Sequence, residues 1–100
     1  MPRALGQKDA KTILFLLSMA RRHLIPKKLG EAHYSVTFGS FEFRIIFEPR
    51  SLYYDNGWKE GSGYCLSQYF GGELDGTSPR LSNWPEIGEI FQLAKELAAN

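Results

Sequence analysis

The stretch YSVTFGSFEFRIIF, Tyr34 to Phe47, decides the fold. Tyr34, Val36 and Phe38 alternate with Ser35 and Thr37. After Gly39-Ser40, the residues Phe41, Phe43, Ile45 and Phe47 alternate with Glu42, Arg44 and Ile46. Side chains on a strand point to opposite faces in turn, so this is the period of two strands, each with one apolar face. A two-residue loop that opens with glycine suits a type II′ hairpin turn, because glycine takes a positive φ there without steric cost. With Gly39-Ser40 as the loop, Phe38 faces Phe41, Val36 faces Phe43 and Tyr34 faces Ile45. All seven apolar side chains then share one face, and the rest of the chain has to cover it.

Two helices are expected to supply that cover. Between Lys8 and Leu24, the residues Ala10, Ile13, Leu17, Ala20 and Leu24 recur at three-and-four spacing. Asp9 suits the positive end of the helix dipole; Arg21, Arg22 and His23 suit the negative end, and Pro26 stops the helix. At about 100° per residue, Phe15 and Met19 fall opposite this stripe, among Lys8, Lys11, Thr12, Ser18 and Arg22. A helix apolar on two sides is sandwiched within its fold or touches something outside it. The second helix follows Asn83, which is expected to cap it with Glu86 three residues on, and Pro85 stands in its first turn. Its apolar face is Ile87, Ile90, Phe91, Ala94, Leu97 and Ala98.

Elsewhere the pattern is thinner. Met1 to Gln7 reads as a flexible arm and Lys27 to Ala32 as a linker. Ser51 to Tyr54 reads as a third extended piece. Asp55-Asn56-Gly57 signals a turn, but the following residues dissolve into Lys59-Glu60-Gly61-Ser62-Gly63, so 55–62 is expected to be a loop bearing Trp58. Gly63 to Phe70 is the expected last strand, and residues 71–82 show no period. The expected architecture is one α+β domain spanning residues 1–100. It is a two-layer sandwich of helix, three or four antiparallel strands, and helix, with both helices on one sheet face. The opposite face, with Ser35, Thr37, Glu42, Arg44, Ile46, Cys65, Ser67 and Tyr69, is left to water.

Composition sets the outer bounds. The chain is 43% hydrophobic and 23% charged with a net charge of +1, the profile of a globular domain rather than a disordered or fibrous one. The longest apolar run, Ile13 to Leu17, is too short to cross a bilayer. Arg21, Arg22 and His23 stand where a signal peptide would need its small-residue cleavage site. A single cysteine, Cys65, allows no intrachain disulfide and no thiolate cluster for zinc, and a cytoplasmic location is expected. Charge is unevenly placed. Residues 1–30 carry seven basic side chains against Asp9, a net of +6, and residues 31–100 carry −5. Such a split marks an anionic partner for the front, or an attraction between the two ends.

No arrangement for catalysis stands out. Cys65 with His33 or His23 as base is the one nucleophile pair available, and a lone cysteine in an aromatic-rich strand is more often a packing residue. The two histidines stand apart from any metal-ligand spacing, and Gly61-Ser62-Gly63 and Gly71-Gly72 lack the lysine and helix of a phosphate loop. No catalytic residue, cofactor or metal is assigned.

The order helix, three strands, helix resembles the topology of a double-stranded-RNA-binding domain. That family sets a lysine cluster at the start of its second helix, whereas Asn83 to Glu89 holds two acids and no base, which opposes phosphate binding. Gly39-Ser40-Phe41-Glu42-Phe43 is similar to the aromatic strand of an RNA-recognition motif, but the leading basic residue is missing and the element order differs. The sequence therefore points first to a non-enzymatic module that covers another protein's surface, of the inhibitor, immunity, antitoxin or adaptor type. Its contact residues are expected to be Phe15, Met19 and Arg22 on the first helix with Tyr53, Tyr54, Asn56, Trp58 and Lys59 around the aromatic turn. The outer side of the first helix equally suits a homodimer. The alternative is nucleic-acid binding through Lys8, Lys11, Arg21, Arg22, Lys27 and Lys28.

Overall fold

A computed structural model describes residues 2–49, 52–54, 57–59 and 61–99. Its elements are β1 (Arg3–Ala4), α1 (Gln7–Met19), a 3-10 turn (Arg21–His23), β2 (Lys27–Gly30), β3 (His33–Phe38), β4 (Phe41–Glu48), β5 (Leu52–Tyr54), β6 (Gly57–Lys59), β7 (Gly63–Phe70), β8 (Glu73–Thr77) and α2 (Pro85–Ala98). The class is α+β. Six strands form one sheet in the order β1-β8-β7-β4-β3-β2, with β1 parallel to β8 and every other pairing antiparallel.

The β3–β4 hairpin has the register read from its alternation: Tyr34 opposite Ile45, Val36 opposite Phe43, Phe38 opposite Phe41. Gly39 sits at φ 61° while Ser40 keeps a negative φ. A type I′ turn needs positive φ at both positions, so the loop is of the II′ kind. β7 then pairs along the whole of β4, which places Leu66 beside Ile45 and Gln68 beside Phe43 on the inner face.

The sheet is wider than three or four strands, for three reasons. Lys27–Gly30 is not a linker but the edge strand β2, whose lysines and bulge at Leu29 hide any alternation. Residues 73–77 form β8, masked in sequence by a bulge: Gln68 faces Gly76 and Tyr69 faces Leu74, which leaves Asp75 as the extra residue. The front of the chain is not loose. Arg3–Ala4 runs along β8, the Leu5 amide donates to the Thr77 carbonyl at 2.9 Å, and the Leu5 side chain is buried. The Asn-Gly signal also marks a hairpin rather than a loop, since Tyr54 pairs with Gly57 and Tyr53 with Trp58 in a separate two-stranded sheet.

The helices differ from expectation at their ends. α1 stops at Met19, not Leu24, and the chain tightens into a 3-10 turn in which the His23 amide donates to the Ala20 carbonyl at 2.8 Å. Asn83 does not cap α2. Trp84 is the N-cap, with Pro85 directly inside it, and the Asn83 amide instead donates to the Ser62 and Leu81 carbonyls. One buried cluster joins α1 (Ala10, Ile13, Leu17), α2 (Ile87, Ile90, Phe91, Ala94) and the inner sheet face (Tyr34, Val36, Phe43, Ile45, Leu66). The Tyr34 ring meets Phe91 edge-on at 5.5 Å, tying the hairpin to α2.

Candidate protein-contact surface

α1 buries one stripe and displays another. Ala10, Ile13 and Leu17 go into the core, while Phe15 and Met19, one turn apart on the far side, are 64% and 73% exposed. Just beyond the helix, Ile25 is 92% exposed while its neighbours Leu24 and Pro26 are buried. Proline disfavours helical geometry in the residue before it, so the chain is extended there and Ile25 is turned out. The sequence signal for Ile25 was this X-Pro step; a search for helical periodicity passes over it. Exposed large apolar side chains such as these suit contact with another surface.

The six basic residues of the alternative reading are all exposed, but they do not form one strip. Lys8 and Arg22 stand fourteen residues apart, on the order of 20 Å along a helical rise. Lys11 is 3.8 Å from Glu86 of α2, so one cation of the front does bind the rest of the chain. Lys27 adds a favourable charge beside Glu42. Lys8, Arg21, Arg22 and Lys28 make no ion pair among the described residues.

The outer sheet face is neutralised internally. Arg44 donates to both oxygens of Glu42 and lies 4.3 Å over the Tyr69 ring, and Ser35 also donates to Glu42. These bonds, that from Arg44 foremost, hold the Glu42 carboxyl below its usual range. Arg80 makes a two-pronged pair with Glu48. A groove of about 250 Å³ on this face includes His33 and Cys65. The two are not neighbours: His33 is opposite Ile46 and Ile46 is opposite Cys65, so a full strand stands between them, about 10 Å by ordinary strand spacing. The Cys65 thiol instead lies 3.5 Å from the Ser78 carbonyl and 3.6 Å from the Thr77 hydroxyl. No cluster of three metal-ligating side chains occurs among the described residues.

His33 carries a pH signature. Burial first, then the positive charge of Arg44, pushes its imidazole below the ordinary value of 6.5. The folded protein therefore binds this proton less readily than the unfolded chain. The stability from neutral His33 is complete above pH 6.5 and is lost as pH falls from there through the folded value. Urea midpoints at pH 7.5 and 5.0 should fall further for the wild type than for His33→Gln. Equal falls would place His33 in ordinary solvent.

Of the other expected contact residues, Asn56 lies outside the described residues, as do the side chains of Tyr53, Tyr54, Trp58 and Lys59. One inward residue escaped the sequence reading altogether. Gln68 is buried on the inner face, a polar break in the apolar row Tyr64, Leu66 and Phe70, and that break was the signal available. Neither helix is long and apolar enough to cross a membrane. Compared with protein-family models, curated proteins and solved structures, the chain matches none.

Proposed function

We propose that the protein is a non-enzymatic binding module that covers a surface of another protein with the outer side of α1, both helices being seated on one sheet face. The observation that carries this is the outward display of Phe15 and Met19, with Ile25 beyond them. An apolar centre flanked by cations is complemented by an apolar patch with an acidic rim. Two copies of this chain meeting through the same side would oppose Lys8, Arg21 and Arg22 to their own like, which favours a foreign acidic partner over a homodimer. Steric occlusion is the mechanism, and a cytoplasmic inhibitor, immunity protein, antitoxin or adaptor is the class. Nucleic-acid binding is the lesser reading: the cations are spread out, and the start of α2 carries Glu86 and Glu89 rather than bases.

The test is the double variant Phe15→Ser/Met19→Ser. Both side chains are exposed in the free protein, so its stability should stay within about 0.5 kcal/mol of the wild type. Affinity for the protein partner recovered from the native host should fall at least about 100-fold, as expected for two apolar hot-spot residues. Unchanged affinity would remove this surface from the reading. Sedimentation of the wild type over a concentration series should show a monomer; a dimer abolished by the double variant would mean that the stripe serves self-association instead.

A further inference from the structure

A second feature lies between α1 and the hairpin, independent of the outer stripe. Ile13 and Leu16 of α1 face Phe38, Phe41 and Phe43 across a crevice of about 210 Å³. An apolar cavity of roughly 150 Å³ takes benzene, so this one has room for a substituted benzene or an indole. The charged residues that line it, Arg3 and Asp9, pair at 2.8 Å, and Asp75 stands close enough for its charge to act on Arg3 as well, so an anionic ligand finds no free cation among the lining residues. One polar group reaches the lining from the buried side. Gln68 is 9% exposed, and its amide nitrogen donates to Asp75 at 2.7 Å. An ionised carboxylate only accepts, so this bond fixes which end of the amide is nitrogen and turns the amide oxygen away from Asp75. That oxygen has no donor among the described residues. No described side-chain oxygen or nitrogen is both sealed off and unpartnered, so this oxygen keeps some exposure, and Gln68 is one of the residues that line the crevice.

We propose that this crevice binds a small, uncharged aromatic molecule carrying one hydrogen-bond donor, of the phenol or indole class, with the Gln68 amide oxygen as acceptor. The ring lies among the phenylalanines and the donor satisfies the Gln68 amide oxygen. A polar site of this kind rejects an analogue that lacks the donor, because binding it strips the acceptor of water without replacement.

Titration of the whole chain with p-cresol, followed by NMR, tests this. Saturable shifts are expected at Leu16, Phe41 and Gln68, with p-cresol at least about five- to tenfold tighter than 4-methylanisole. Gln68→Leu should bring the two ligands to near-equal affinity. Thr12→Trp, on the exposed helix surface at the crevice, leaves the core untouched and should weaken p-cresol at least tenfold by filling the mouth; it carries the test if Gln68→Leu does not fold. Absence of saturable shifts, equal wild-type affinity for both ligands, or p-cresol binding unchanged in Thr12→Trp would overturn the assignment.

Discussion

Gly63→Ala should cost at least about 3 kcal/mol and leave little folded protein at 37 °C, although it adds a single methyl group. Gly63 opens β7 and is buried. A Cβ placed there would stand 2.4 Å from the Leu81 carbonyl carbon and 2.5 Å from its Cα. These are backbone atoms, so no rotamer change relieves the clash. Nor can the Leu81 backbone withdraw easily. Leu81 is held at φ 59°, a region uncommon for residues other than glycine, and the next residue, Ser82, is pinned to Tyr64 by two backbone bonds of 2.8 and 2.9 Å. Thermal unfolding by circular dichroism measures the loss. A Gly63→Ala protein that melts within a few degrees of the wild type would show that the 81–82 segment does not lie over β7 in this way.

The second large effect separates two adjacent isoleucines. Ile45→Ala should lose about 3–4 kcal/mol, because Ile45 is fully buried between Tyr34 and Leu66 and its removal leaves a cavity. Ile46→Ala should lose only about 1 kcal/mol, since Ile46 lies half-buried on the outer face between His33 and Cys65. A slip of one residue in the pairing would exchange the two outcomes. Urea unfolding of both variants therefore reads the hairpin register directly, and similar losses from the two would contradict it.

How far the fold was legible depended on whether local pattern and tertiary role agreed. They agree in β3 and β4, where strict alternation and a glycine turn leave one register, and in α2, whose apolar face is uninterrupted. They part at the sheet edges. β2 carries Lys27 and Lys28, which suit an unpaired edge but carry no periodic signal. β8 spends Asp75 on a bulge and Gly76 on a close approach by Leu5, so Glu73-Leu74-Asp75-Gly76-Thr77 reads as turn chemistry. α1 was legible in phase but not in length. The periodic positions Ala20 and Leu24 continue its stripe, yet the chain leaves α-helical geometry at Met19 and still buries Leu24.

The candidate sites divide in the same way. Phe15 and Met19 follow from helical phase alone, since any helix that buries Ile13 and Leu17 must turn them outward. Ile25 depends on a proline that breaks that phase. Gln68 depends on which face of β7 is inward, and this becomes known only when β7 is placed against β4. Polar residues at apolar positions are where sequence rules and structure are expected to part at a working site.

The proposed function requires the outer side of α1 to be covered when the protein acts. Amide hydrogen exchange of the protein, alone and in complex with its recovered partner, measures this most directly. Slowed exchange over residues 12–25, with little change at the outward residues of β4 and β7, is the predicted result. Protection confined to the outer sheet face around Arg44 and Tyr69, with residues 12–25 exchanging as in the free protein, would contradict it.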